Sequence, residues 1–245
     1  MNTSVRGKRR QKGASLVELI ITVPVFAFLL AGIFEIALMY RTKALLNAAT
    51  FEAAQQGSLN NALIGNMRDG LAQGMLPLYL RSRNAGGVTA AYARARSRIA
   101  LSMGDVAIVT PTRTAFTRFR EQQMVRTTRD SRERLQFVIP NDNLMWRDAR
   151  TFTVTVGGQS LPMNVQDANL LKVRSYWCHQ LLTPLFDRVL WTLASGGPRL
   201  LIGPPLNEDE RRCAALSLAT GDYFLAVTSS SVTRMQSPVV QDSLP

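Results

Sequence analysis

The stretch Arg9-Arg10-Gln11-Lys12-Gly13-Ala14-Ser15-Leu16-Val17-Glu18, running directly into Leu19–Leu38, decides how this 245-residue chain is organised. A short basic leader ends in a glycine, a small residue follows, and a glutamate stands five positions after that glycine. Sixteen residues, Leu19 to Phe34, then carry no charge, and Ile36–Tyr40 prolong the apolar run beyond Glu35 to Arg41. At 1.5 Å rise per residue a helix over Leu19–Tyr40 reaches about 33 Å, enough to cross a hydrocarbon core of about 30 Å. Tyr40, Arg41 and Lys43 form an aromatic and cationic belt at the far end. The core helix of a soluble domain is the competing reading of the same run.

Charge sets the orientation. Residues 1–13 carry Arg6, Lys8, Arg9, Arg10 and Lys12 and no acid, so the leader is expected on the cytoplasmic side and everything after Tyr40 across the membrane. A secretory signal peptide also starts with a basic segment and an apolar stretch, but its apolar run is about 7–15 residues and ends in a small-x-small cleavage site. This run is longer, and a helical pattern continues beyond it. A cut after Gly13 keeps the apolar segment on the mature protein; a signal-peptidase cut removes it.

With the glycine, the following Ala14, Glu18, the long apolar helix and Pro24 shortly after the glutamate, residues 14–57 resemble the TadE-like minor pseudopilin family of tight-adherence (Flp-type) pili. Major type IV pilins carry their helix proline further along. Asn47-Ala48-Ala49-Thr50-Phe51-Glu52-Ala53-Ala54 looks like the end of the family motif, with looser echoes near Leu170–Trp177 and Met235–Pro238. The resemblance implies cleavage by prepilin peptidase between Gly13 and Ala14. It also implies that Glu18 neutralises the terminal amine of a neighbouring subunit. It further implies a non-enzymatic structural subunit without cofactors, whose partners are prepilin peptidase, other pilin or pseudopilin subunits with the pilus assembly machinery, and membrane lipid. The corresponding location is the bacterial inner membrane, single-pass, with the N-terminus cytoplasmic and the C-terminal domain periplasmic, or within a surface pilus.

From the residues alone, Glu18 is an expensive charge near the start of a span, in need of a partner or of headgroup solvation; at the bilayer centre such a carboxylate costs about 2.5–3.5 kcal/mol. Glu35 lies deeper. Ala27, Ala31 and Glu35 fall at i, i+4 and i+8 and share one face, where small residues permit close approach and a buried acid favours protein contact, so this face is expected to meet a partner helix. Snorkelling or protonation in lipid is the alternative. Pro24 removes one backbone hydrogen bond and is expected to kink the helix.

Beyond the membrane Ala44, Leu45, Ala48, Ala49, Glu52 and Ala53 recur at three- and four-residue steps, which predicts an amphipathic continuation stopping at Gly57-Ser58. The expected division is a basic leader 1–13, a transmembrane and extended helix 14–58, and a periplasmic α+β ectodomain 59–245. The expected fold is α+β, a long transmembrane helix followed by a pilin-like ectodomain with a small, mostly antiparallel sheet and helices. Asn60–Arg98 reads as a weak helix and loop, followed by a helix over Ala90–Leu101. Val106–Val109 reads as a strand ended by Thr110-Pro111, and Thr114 as the cap of a helix over Ala115–Gln123. Phe152–Val156 alternates and turns at Gly157-Gly158; Leu171, Val173, Ser175 and Trp177 alternate against Lys172, Arg174 and Tyr176. Leu181–Leu193 reads as helix, Tyr223–Thr228 as a last strand, and the remainder as a frayed tail.

Cys178 and Cys213 are the only cysteines. In a periplasm-like compartment two cysteines most simply form one disulfide, with two separately buried thiols as the alternative. Adjacent strand residues point to opposite faces, so His179 is poorly placed to serve Cys178 as a catalytic base. The sequence has no phosphate loop, G-x-S-x-G, H-E-x-x-H or calcium-loop pattern. Glu208-Asp209-Glu210-Arg211-Arg212 reads as a solvated, self-neutralising turn, and Gly196-Gly197-Pro198 and Gly203-Pro204-Pro205 as loops.

The whole chain carries a formal +12, of which the leader's cations supply five, leaving +7 for a chain starting at Ala14. Arginines concentrate between Arg81 and Arg134, among them Arg94, Arg96, Arg98, Arg113, Arg118, Arg120, Arg126, Arg129 and Arg132. Such a surface attracts anionic polymers or lipid, or is simply solvated. No aromatic-interleaved platform accompanies it, so no specific nucleic acid is expected. Beside the pseudopilin reading stand an unprocessed, membrane-anchored envelope scaffold and an anchored binding or hydrolytic protein with a basic periplasmic domain.

Overall fold

A computed structural model describes residues 14–82, 84–127, 130–184, 186–193 and 207–245. The leader with Gly13 and the two glycine-proline loops lie outside them. The first element, α1 (Ala14–Leu59), is 46 residues long and continues through Pro24, a length of about 69 Å. Its first half is open: residues 18–30 are all exposed, and of these Phe28 makes a ring contact, with Phe186. Among the described residues it is the helix long and apolar enough to cross a membrane.

The second half of α1 is one-sided. Thr42, Leu46, Ala49, Thr50, Ala53, Ala54, Gly57 and Ser58 are buried, while Ala44, Ala48 and Phe51 face outward. Of the expected face Ala44, Leu45, Ala48, Ala49, Glu52 and Ala53, Ala49 and Ala53 are buried and Ala44 and Ala48 are not, so the buried face is rotated toward Ala49 and Ala53. Alanine contributes too little apolar area to orient a helix. Two threonines take the inner face because Thr42 and Thr50 hydrogen-bond back to the carbonyls of Leu38 and Leu46 and also meet partners on the sheet.

That sheet comprises β1 (Gly104–Thr110), β6 (Leu170–Gln180) and β7 (Phe224–Arg234), antiparallel in the order β1-β6-β7. β6 pairs with β7 from Leu170↔Arg234 to Gln180↔Phe224. The alternation of Leu171, Val173, Ser175 and Trp177 turns all four inward, and Trp177 closes over Gly104, where a Cβ would come within 2.3 Å of its ring. The last strand therefore runs to Arg234, well past Thr228.

Three helices fill 60–100: α2 (Ile64–Gly74), α3 (Leu76–Tyr79) and α4 (Ala85–Ala100). The third begins five residues earlier than periodicity suggested, because the Asn84 side chain caps it by accepting from Gly87 N–H at 2.8 Å. Helix α2 lies directly on α1, and Arg68 ties it to β1 through a two-pronged contact with Asp105 at 2.8 and 2.7 Å.

The segment expected as a helix over Ala115–Gln123 divides. Thr112, not Thr114, caps α5 (Arg113–Phe119), and the chain then enters β2 (Glu121–Thr127). That strand pairs with β3 (Asp130–Ile139), which in turn pairs with β8 (Val239–Val240). The tail is not frayed: Val239, Val240 and Leu244 are buried, and Arg113 N–H donates to Pro245 O at 2.9 Å. β4 (Phe152–Val156) and β5 (Gln159–Met163) form a hairpin. Its two-residue turn needs positive φ twice, supplied by Gly157 at 57° and Gly158 at 82°.

Two further expectations change. Among the described residues of Leu181–Leu193 only α7 (Phe186–Trp191) is α-helical, after a short α6 (Val165–Ala168) earlier in the chain. Glu208–Arg212 is not a turn but the start of α8 (Glu208–Thr220), where Glu210 reaches back to Asn207 N–H at 2.9 Å. Acids in a first turn complement the helix dipole, and the expected self-neutralisation is present too, Arg212 pairing with Glu208 one turn earlier.

Candidate functional site

The chemistry-bearing residues collect where α1 leaves its exposed half and meets the sheet. Glu35 is fully buried. Its carboxylate accepts from the Leu182 N–H at 3.2 Å, the Thr183 N–H at 3.0 Å and the Thr183 hydroxyl at 2.5 Å. The turn after β6 thus directs its free donors at an acid projecting from the helix, in the way a backbone nest holds an anion. His179 completes the site: Nε2 stands 3.6 Å from Glu35 Oε1, and Nδ1 lies 2.9 Å from Thr42 Oγ1. A proton on Nε2 faces the carboxylate and leaves Nδ1 to accept from Thr42, whose single hydroxyl proton then turns from Leu38 O to the imidazole; the other tautomer would set a lone pair against the anion. Burial pushes the imidazole below its ordinary pKa, and Glu35 pulls back against that without overcoming it.

Eight residues further along α1, Thr50 Oγ1 meets Ser175 Oγ at 2.5 Å. Glu35, Thr42 and Thr50 therefore form three polar rungs that register the helix on β6 through the 182–183 turn, His179 and Ser175. Apolar contacts alone would let a small-residue helix slide; each rung fails if α1 shifts by one turn. Thr42, Thr50, His179 and Thr183 are the members that the reading of the sequence missed. The available signal was an acid at the outer end of an apolar run and a lone histidine on a half-buried strand.

The face holding Ala27, Ala31 and Glu35 is graded. Ala27 is exposed and open to a neighbouring helix, Ala31 is half-buried and Glu35 is enclosed by the chain's own turn. Phe186 of α7 lies against this side, its ring centroid 5.2 Å from that of Phe28 and its edge 2.8 Å from the Cβ position of Gly32. Of the processing residues, Glu18 is exposed, Ala14 begins α1, and Gly13 lies outside the described residues. Arg41 and Lys43 do not form a free belt. Arg41 donates to Pro77 O at 3.2 Å and Lys43 to Thr228 O, so both are tied to the folded part of the chain beyond α1.

Cys178 and Cys213 are joined, Cα to Cα 5.5 Å, linking β6 to α8. His179, next in sequence, faces α1 on the other side of the strand. The arginines are distributed over α4, α5 and the β2–β3 hairpin, not along one groove. Arg96 pairs with Asp69 at 3.2 Å, Arg113 donates to Leu244 O, and Arg118 and Arg120 lie over the rings of Phe152 and Phe137. A cleft of about 590 Å³ is lined by Arg68, Arg96, Ser97 and Asp105, and both of its arginines already hold carboxylates. Among the described residues no group of three His, Cys, Asp or Glu side chains could hold a metal ion.

The family model described as TadE-like protein matches residues 13–55. That interval contains the exposed apolar half of α1 and all three polar rungs. No curated protein and no solved structure matches the chain.

Proposed function

We propose, taking the TadE-like segment at 13–55 as the premise, that this chain is a membrane-anchored structural subunit of a tight-adherence pilus or related secretion filament. In this reading it is a minor pseudopilin, processed by prepilin peptidase after Gly13. The observation that carries the proposal is the division of α1: an apolar stretch of membrane length, exposed through residue 30, that continues without a break into a half docked on the chain's own domain. A subunit of this shape resides in the bilayer by its free half and presents its domain on one side. On assembly the free half exchanges lipid for neighbouring helices.

Two features support polymerisation over permanent solitary anchoring. Glu18 is exposed at the start of the span, where a new Ala14 amine of a neighbour can neutralise it. The outer face of α1 keeps large side chains uncovered well beyond the apolar run, with Tyr40 75% and Phe51 56% exposed, and small Ala44 and Ala48, also exposed, between them. Lipid does not reach Phe51 if the membrane ends near Tyr40, so another protein surface is its natural cover. The role is non-enzymatic, with the ectodomain periplasmic and the partners being prepilin peptidase, other pilin-like subunits with their assembly machinery, and lipid.

Intact mass of the protein purified from membranes tests the reading. The expected terminus is Ala14 in the parent and the uncut leader in Gly13→Ser. Full-length parent protein, or a product beginning beyond Tyr40, overturns it.

A further inference from the structure

We infer that α7 and its flanks, residues 182–193, form a second membrane contact that lies in the outer headgroup region and seats the ectodomain on the bilayer. The inference rests on the membrane-anchored reading above. Its first support is length. Phe186 touches α1 at Phe28 and Gly32. From Ala14 to Phe28 an α-helix rises only about 22 Å, and to Gly32 about 28 Å, against a hydrocarbon core of about 30 Å. In the uncut chain the cations before Gly13, and after cleavage the charged Ala14 amine, hold the inner end of the helix at the cytoplasmic surface. The contact with Phe186 therefore falls at or below the outer edge of the core, and any tilt of α1 sinks it further. The segment 182–193 has no dry place to be on that side: it meets lipid.

Its surface suits that position. Leu182, Val189 and Leu193 are 61%, 44% and 55% exposed, and Phe186, Val189 and Leu193 recur at helical spacing. On α1 Phe28, Leu29 and Ile33 are exposed as well, and Phe28 is the one whose ring meets Phe186. Away from that surface the segment is amphipathic. The Arg188 guanidinium donates to Tyr223 Oη at 3.1 Å, and Trp191 packs on the Tyr223 ring at 5.4 Å. Arginine, tryptophan and tyrosine gathered beside an apolar face are what the headgroup layer accommodates. A six-residue helix cannot span, so it lies along the interface.

The contact also gives the Glu35 site a purpose. Glu35 sits one turn beyond Gly32, at the level where an uncapped carboxylate would face acyl chains. The 182–183 turn covers it and then leads directly into the lipid-facing segment. Lipid contact and capping of Glu35 are two ends of one short loop.

The test uses the full chain at one copy per phosphatidylcholine/phosphatidylglycerol nanodisc, with an environment-sensitive fluorophore on Val189→Cys or, separately, Leu193→Cys. The native cysteines are bonded to each other and do not label. Val23→Cys reports the span, and Leu218→Cys on α8 reports a solvent-facing site. Lipids carrying a spin label shallow or deep on the acyl chain serve as quenchers. Labels at 189 and 193 are expected to be quenched severalfold more than at 218, and more by the shallow than by the deep probe; the label at 23 is quenched by the deep probe. Quenching at 189 and 193 equal to that at 218, with 23 still quenched, overturns the inference and leaves the anchor intact. Blue-shifted but unquenched labels at 189 and 193 mean that protein covers the segment, which also overturns it. Loss of quenching at 23 instead removes the anchored reading itself, and with it this inference.

Discussion

The Nε2 of His179 stands 3.6 Å from Oε1 of Glu35, the two joining a strand of the ectodomain to the membrane-proximal turn of α1. Neither residue belongs to an obvious motif, yet between them they decide how the anchor is fixed to the domain. The carboxylate receives three donors from the 182–183 turn, and the imidazole connects it to Thr42 on the next-but-one turn of the helix.

Substitution of Glu35 separates charge from shape. Glu35→Leu leaves two backbone N–H groups and a hydroxyl buried without an acceptor, and is expected to destabilise the ectodomain by about 3–5 kcal/mol. Glu35→Gln keeps a carbonyl acceptor of nearly the same size and should cost about 1–2 kcal/mol. Urea unfolding in detergent, followed by tryptophan fluorescence, measures both. Equal and negligible effects would show that the turn does not depend on the acid.

The pH dependence follows from His179, the only histidine in the chain. Burial holds its pKa in the folded protein below the ordinary 6.5, so the unfolded chain binds the proton more readily. Stability is then full above about pH 6.5 and falls as the pH drops from there toward the folded-state value. Burial alone would raise the pKa of Asp142, but hydrogen bonds from Arg147 and Gln123 outweigh it and hold the group below the ordinary 3.8. Its contribution is lost only in that more acidic range. Unfolding midpoints at pH 7.5 and 5.5 should therefore differ in the parent protein and converge in His179→Asn, whose amide oxygen can still meet Thr42.

Reduction of the Cys178–Cys213 bond is expected to lower stability by about 3–4 kcal/mol, the chain-entropy value for a loop of this size, the two residues being 35 apart in sequence. The loop contains residues 182–193, so reduction should also loosen the cap on Glu35. Cys213→Ala, compared with the parent under reducing conditions, separates the bond from packing. A parent protein unaffected by reductant, with the bond verified as broken, would contradict the expectation.

How much of this was readable beforehand differs between elements for physical reasons. The extent of α1, the alternation of Leu171–Trp177 and the pairing of two cysteines in one compartment are each set by the residues concerned, and the structure has all three. Glu121–Gln123, the first residues of β2, read as the end of a helix because they carry no strand pattern of their own; partners on β3, from Gln136 to Val138, make them strand. The tail reads as polar and short, and becomes ordered only because Val239 and Val240 find Val138 and Ile139, a hundred residues earlier. The Glu35 site needed the same kind of distant knowledge. A lone acid signals that a partner exists, but the donors come from backbone N–H groups, which have no letter in the sequence.

Two glycines of α2 provide the last prediction, since one is closely packed and the other is free. A Cβ on Gly74 would come within 2.3 Å of the Ala49 Cα, backbone that cannot yield without moving α2 off α1. A Cβ on Gly65, in the first turn of the same helix, meets nothing within 4 Å. Alanine is favoured over glycine inside helices by up to about 1 kcal/mol, so propensity alone predicts that both substitutions stabilise. Packing reverses the sign at one of them. Gly65→Ala should gain about 0.5–1 kcal/mol, whereas Gly74→Ala should lose about 1–3 kcal/mol through overpacking. Denaturant midpoints of the two variants decide it: a gain at both positions would mean that α2 does not sit as closely on the Ala49–Ala53 face as these distances require.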